Sequence, residues 1–193
     1  MPYDPCFYPI GKPPQGRHRK SIRLPGYDYT TPGVYYITIV THRRIPLFGE
    51  IIGGQMRLNE WGLIARTEWL KSALIRPEIA LDEFAVMPNH MHAIIIILEC
   101  NGGFVGAQRR CAPTSSTTIH PIPIVVPRSI GAIIRAYKSA VTHRINQSRR
   151  IPGALVWQRN YYEHIVRNEY ELSDIRKYIR NNPLQWQTDA ENR

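Results

Sequence analysis

The residues of this chain best suited to chemistry are two imidazoles and a phenol. His90 and His92 flank Met91 at the start of an apolar run, His90–Leu98. Successive side chains on a strand point to opposite faces, so residues i and i+2 lie together. On a strand, both imidazoles therefore project the same way, close enough to grip one ion. Two neutral imidazoles with open positions suit Mn²⁺, Zn²⁺ or another transition metal by ligand softness. Mg²⁺ prefers oxygen ligands and needs water, phosphate or a side-chain amide to complete its shell. Two ordinary half-buried histidines are the competing reading of the same pair.

The phenol lies towards the carboxyl end. Leu172, Ile175 and Ile179 form an apolar stripe at i, i+3 and i+7, the pattern of a helix with one buried face. Tyr178 and Asn182 are four apart, one above the other along the edge of that stripe, and Glu171 falls near the same edge. Such a pair presents a phenol and a metal-ligating oxygen together; a packing tyrosine and a C-terminal Asn cap are the plainer alternative. Tyrosine is a weak nucleophile at neutral pH because its phenol titrates near pH ~10. A metal ion beside it would polarise phosphoryl oxygens and orient the attack. A covalent link from tyrosine to one nucleic-acid end stores the bond energy, so rejoining needs no nucleotide cofactor. The sequence carries no Gly-rich phosphate loop of the Walker type, consistent with that economy. Tyr137, Tyr161 and Tyr162 compete for the nucleophile role, but only Tyr178 carries the amide one turn on.

Val34–Val40 is rich in β-branched and aromatic residues and reads as a strand. A weaker strand pair over 46–58 contains Gly53-Gly54, a hairpin turn signal. Asn59 caps a helix whose apolar residues Leu63, Ile64, Trp69, Leu70, Ala73 and Leu74 recur at helical spacing as far as Pro77. Ile79–Met87 is a strand. His90–Leu98 is apolar on both faces, hence central in its sheet. Residues 99–126, with Asn101-Gly102-Gly103 and a Thr/Ser run, cannot build a core and read as a flexible insertion. Helix returns at Ser129–Asn146, a short strand region covers Leu155–Val166, and a last helix runs from Asn168 to just before Pro183. Strands and helices alternate irregularly with short strand-to-strand links. The fold class expected is α+β, an antiparallel sheet flanked by helices.

The composition frames a partner. At 193 residues the chain is one domain with an arm and an insertion, and its formal net charge of +10 attracts polyanions, of which nucleic acid is the commonest. Arg17, Arg19, Lys20 and Arg23 cluster in the Pro- and Tyr-rich stretch 1–32, as an arm on a phosphate backbone or as a solvated tail. Arg135, Lys138, Arg144, Arg159 and Arg167 lie among Trp157, Tyr161 and Tyr162. That mixture makes a nucleic-acid groove in which aromatic faces stack on unpaired bases, worth roughly 1–3 kcal/mol per base. The three cysteines form no paired framework, no signal-peptide pattern opens the chain, and the longest apolar stretch is too short to span a bilayer. A soluble cytoplasmic protein is the expectation.

With these residues in view, Pro88-Asn89-His90-Met91-His92 followed by an apolar strand resembles the HUH motif (His, hydrophobic, His) of the single-tyrosine transposases. The run from Val156 through Trp157, Tyr161 and His164 to Asn168, and Tyr178-Ile179-Arg180-Asn181-Asn182-Pro183, resemble one branch, the REP-associated tyrosine transposases. The similarity covers Gly33 to Trp186 apart from the insertion, leaving 1–32 as an arm and 187–193 as a tail. The resemblance implies a ferredoxin-like, RRM-like HUH endonuclease fold. It implies Tyr178 as nucleophile, His90 and His92 as metal pair and Asn182 as third ligand, with Mg²⁺ or Mn²⁺ as cofactor. It implies single-stranded DNA with a hairpin as substrate, cut through a 5′-phosphotyrosine by a monomer or a homodimer. The insertion 99–126 and the arm both exceed a minimal member. A domesticated hairpin-binding protein that does not cut is the runner-up. A hydrolase using water on the two histidines has no further strong ligands in support.

Overall fold

The computed structural model describes residues 27–99 and 128–192. Arg17, Arg19, Lys20 and Arg23, the three cysteines and nearly all of the 99–126 insertion lie outside the described residues. No helix among the described residues is long and apolar enough to cross a membrane.

Four strands form one antiparallel sheet: β1 (Gly33–Val40), β4 (Ile79–Val86), β5 (His90–Ile97) and β6 (Tyr162–Val166), in the order β4-β5-β1-β6. The histidine strand β5 sits inside the sheet, as its two apolar faces require, and seven of its eight residues are buried. A short hairpin, β2 (Gly49–Ile52) and β3 (Gln55–Leu58), stands beside the sheet. Its turn places Gly53 and Gly54 at φ 57° and 74°, the left-handed pair that a two-residue hairpin demands.

Each helix begins where its cap residue allows. α1 (Glu60–Ile75) starts after Asn59, whose side chain accepts from the Gly62 amide at 2.9 Å. α2 (Ile130–Ser148) is capped in the same way by Ser129, and α3 (Glu169–Asn181) by Asn168. α3 ends before Pro183, as the proline predicts.

Strand alternation divides the sheet into two unlike faces. Tyr35, Ile37 and Ile39 of β1, with Met91, Ala93 and Ile95 of β5, meet α1 and α2 in the main core. Trp69 of α1 and Tyr137 of α2 interlock there edge to face, with ring centroids 5.1 Å apart. The opposite face of the same strands carries Tyr36 and Ile94, covered by Leu172, Ile175 and Ile179 of α3.

The apolar residues of α1 divide between two faces: Trp69 is buried and Ile64 packs against the core beside Gly62 and Ala65, while Leu63, Leu70 and Leu74 are exposed, Leu74 at 84%. A Cβ added at Gly62 would stand 2.2 Å from the Phe48 carbonyl oxygen, so the glycine lets the first turn of α1 come close to the chain at Phe48.

α3 is also tied sideways. The register of β4 against β5 shifts between Leu81 and Phe84, and the two acids in that bulge, Asp82 and Glu83, point at α3. Arg176 Nε donates to Asp82 at 3.0 Å, and Arg180 Nε donates to Glu83 at 2.8 Å. A bulge on an outer strand re-aims side chains in just this manner.

Candidate active site

β5 delivers both imidazoles to the α3 face, with ring centroids 4.4 Å apart. Each is oriented from behind. Asn89 donates through Nδ2 to the carbonyls of Arg44 (3.3 Å) and Glu191 (2.7 Å), which fixes its amide so that Oδ1 faces His90 Nδ1 at 2.8 Å. An acceptor there requires the proton on Nδ1 and leaves a lone pair on Nε2. His92 pairs with Thr38 in the strand register. Its Nδ1 meets two hydroxyls, Tyr36 Oη at 2.8 Å and Thr38 Oγ1 at 2.9 Å. Both can accept from Nδ1–H, which turns Nε2 towards α3. Holding the rear nitrogen so that the front one is free is the usual support for a metal-binding histidine.

Burial pushes both imidazoles towards the neutral form, His90 down to about 4 and His92 well below its ordinary value. For His90, the Asp189 charge and the Asn182 amide oppose that fall, while the Arg44 charge adds to it. Neutral imidazole is the form that binds metal.

α3 brings the phenol. Its apolar stripe seats on Tyr36 and Ile94, and Tyr178, at the stripe's edge, places Oη 3.3 Å from His92 Nε2. One turn on, Asn182 is fully buried. The chain then turns back through two 3₁₀ turns, Trp186–Thr188 and Ala190–Asn192. Trp186 stacks on His90, and Asp189 enters the site. Asp189 Oδ2 accepts from Asn182 Nδ2 at 2.5 Å and from Tyr178 Oη at 3.4 Å. One ligand atom from each of His90, His92 and Asp189 lies within 4.8 Å of the others.

Within the cluster of His90, His92, Asn182 and Asp189, two buried atoms lack hydrogen-bond partners among the described residues: His90 Nε2 and Asn182 Oδ1. A proton on His90 Nε2 would bond the Asn182 amide, which is why Asn182 favours the charged ring. In the neutral ring, Nε2 and that amide oxygen are both acceptors, with no donor to satisfy either. Leaving buried acceptors unmade is costly, and a cation satisfies both. Two imidazole nitrogens, an amide oxygen and a carboxylate fit a divalent ion of the Mn²⁺ or Mg²⁺ kind.

The other residues singled out from sequence are dispersed. Arg135, Lys138 and Arg144 are on α2, across the sheet from the histidines. Arg135 is exposed, and Arg144 pairs with Glu68 of α1 at 2.6 Å. Lys138 donates to the carbonyls of Gln158, Arg159 and Asn160 at 2.6, 3.4 and 3.1 Å, and burial pushes its ammonium down to about 8. Trp157, 7% exposed, packs between Phe48 and Tyr137 in the main core. Tyr162 lies on the α3 face, edge-on to Tyr36. Arg159 and Arg167 are exposed on either side of β6. Among the rival tyrosines, Tyr137 bonds the Ala65 carbonyl and the Met91 sulfur in the main core, and Tyr161 packs against that same core. Glu171 does not join the centre; it accepts from His164 Nε2 and from the Arg167 amide. Asn89, Trp186 and Asp189 were not singled out for the site. Asn89 stood inside the histidine motif without a role, and Asp189 follows irregular turns that carry no period.

An antiparallel sheet with paired histidines on an inner strand, and a tyrosine helix laid across them, defines a recognisable class. A solved structure of a REP-associated tyrosine transposase bound to a REP hairpin has this fold. The match has a TM-score of 0.55 at 19% identity, over 89% of this chain and 74% of that one. The fold class read from the sequence, and the fold its motifs imply, are those of that transposase. No family model matches the chain. In sequence it is 40% identical over 179 residues to a protein of Haemophilus influenzae strain Rd described only as an uncharacterized protein, spanning 89% of this chain and 92% of the other. The chain belongs to one family with that Haemophilus protein.

Proposed function

We propose that this protein is a metal-dependent endonuclease and strand-transferase acting on single-stranded DNA with a hairpin, through a 5′-phosphotyrosine on Tyr178. The observation that carries the reading is Tyr178 Oη at 3.3 Å from His92 Nε2 within a single chain. A phenol and a pair of neutral imidazoles share one buried centre, so one chain suffices to assemble it. The solved transposase of the same fold is bound to a REP hairpin, which supports DNA of that shape as the substrate class.

The residues divide the work as follows. His90, His92, Asn182 and Asp189 would hold the ion. When bound, a divalent ion supplies Lewis-acid stabilisation of charge on the phosphoryl oxygens. Asp189 Oδ2, 3.4 Å from the phenol oxygen, is placed to accept its proton. The Tyr178 oxygen then forms a bond to phosphorus, and the bond from phosphorus to the 3′-oxygen breaks. The departing oxygen takes up one proton, equal in count to the one Asp189 received from the phenol, and becomes a 3′-hydroxyl. Attack by a 3′-hydroxyl on the tyrosyl phosphate reverses each change and rejoins a strand. Trp186 over His90, and the apolar stripe of α3, limit water at the centre and so protect the covalent intermediate from hydrolysis.

The test is direct. The protein is mixed with single-stranded hairpin DNA and Mn²⁺ or Mg²⁺, and a denaturing gel is read for a covalent adduct. The wild type should form one, and the Tyr178→Phe protein none. A Tyr178→Phe protein that still cuts at the wild-type rate would reject the nucleophile. Hairpin binding with no adduct from the wild type would leave a non-cleaving binder.

A further inference from the structure

We propose that Arg44 is the phosphate ligand of this site, its guanidinium receiving a nucleic-acid phosphodiester in place of the Glu191 carboxylate it holds here. The inference rests on the reading above, that DNA enters the Tyr178 centre.

The placement of Arg44 is built. It ends the short 3₁₀ turn His42–Arg44 that follows β1. The turn is anchored on both sides: the Thr41 amide donates to the Asn89 carbonyl at 2.8 Å, and the His42 amide donates to the Val156 carbonyl at 2.8 Å. The Arg44 carbonyl is held by Asn89 Nδ2, the same side chain whose Oδ1 orients His90. One carboxamide thus fixes the arginine's backbone and the histidine's ring together. Arg43 and Arg44 also adopt φ 55° and 57° in succession, a conformation that non-glycine residues rarely take and that clusters at functional sites.

Charge supplies the second argument. Two carboxyl side chains, Asp189 and Glu191, stand at the centre against the guanidinium of Arg44. A phosphodiester brings one more negative charge. Arg44 is the one cationic side chain named at the centre, so Glu191 and an incoming phosphodiester are alternative partners for its guanidinium. The existing pair is partly exposed: Arg44 Nη1 lies 2.6 Å from Glu191 Oε2, an atom that is itself buried, and the two side chains are 33% and 24% exposed. The planar fork of a guanidinium matches two phosphate oxygens at once.

The experiment uses full-length Tyr178→Phe protein, which cannot turn over, with a single-stranded hairpin selected by it from a randomised library in Mn²⁺. Affinity is read by fluorescence anisotropy for the native oligonucleotide and for versions bearing one neutral methylphosphonate at each unpaired linkage in turn. Adding Arg44→Ala should weaken the native DNA about ten-fold, as loss of a charge-assisted hydrogen bond does. At one linkage the methylphosphonate should erase that difference. Arg44→Lys should fall between the two, and Glu191→Gln, which removes the competitor and keeps the shape, should tighten binding. An Arg44→Ala effect of equal size at every linkage, or none at all, would overturn the proposal. Adduct formation by the wild type is scored separately, so binding without cutting would sink the cleavage reading alone. Failure of every hairpin to bind would sink both.

Discussion

The two faces of the sheet are made from the same strands and differ in almost every physical respect. On the α1/α2 side, Tyr35, Ile37, Ile39, Met91, Ala93 and Ile95 are buried among aromatic and aliphatic partners. On the α3 side, the alternate residues Tyr36, Thr38, His90 and His92 are just as buried but polar. That side also keeps two acceptors unmatched at its centre. Burial on the first face stabilises; burial on the second neutralises histidines and holds a phenol, an amide and a carboxylate in one place. A strand's two-residue period lets one segment, β5, serve both ends without compromise in either.

The contrast can be broken one face at a time. Tyr178→Phe should remove all covalent adduct while leaving the melting temperature within a few degrees of wild type, since only one half-buried hydroxyl is lost; a gel and a thermal melt report the two quantities together. Trp69→Ala, on the apolar face, should do the reverse. It should cost about 3–5 kcal/mol of unfolding free energy by urea titration, with Mn²⁺ affinity preserved at temperatures where the variant stays folded. A drop in metal affinity without a loss of stability would show that the faces are coupled. His90→Ala should lower Mn²⁺ affinity in calorimetry by more than about 100-fold, beyond the range seen for supporting residues.

The smallest effect concerns the clamp between the faces' edges. Arg176 beside Asp82 holds that carboxyl below its ordinary value, with burial opposing and the Glu83 amide assisting. A depressed carboxyl adds stability above its unfolded value, near pH ~4, and that contribution is lost as pH falls through the lower folded value. Asp82→Asn should therefore lower stability at pH 7 by up to about 1 kcal/mol, given a partly exposed pair. The wild type and the variant should converge as the pH is lowered below that range. Melts at several pH values would show the gap, and a constant gap at every pH would reject the ionic origin.

Much of this is legible in the sequence because the relevant signals are local. The His-x-His spacing needed only a strand, and the Tyr178–Asn182 spacing only a helix. Asn59, Ser129, Asn168 and Pro183 mark helix ends by chemistry that acts within one turn. What was hidden depends on distance. Asp189 reaches the centre through irregular turns, so no period pointed to it. Gly62 lets the first turn of α1 come close to the chain at Phe48, a packing fact that a count of leucines cannot express. Trp157 looked like a platform for bases because its neighbours are basic, yet it fills the gap between Phe48 and Tyr137. Arg135, Lys138 and Arg144 are near β6 along the chain but on the far layer of the sheet. The arm residues Arg17, Arg19, Lys20 and Arg23 remain proposed phosphate contacts, with salt-dependent affinity as their measure.

Asn89 touches the ring of His90, the backbone of Arg44 and the backbone of Glu191, three stretches far apart along the chain. A single planar group therefore sets the spacing between whatever sits on the histidine and whatever sits on the arginine. Shortening it by one methylene or lengthening it by one would leave every chemically active side chain in the molecule and still put them out of step.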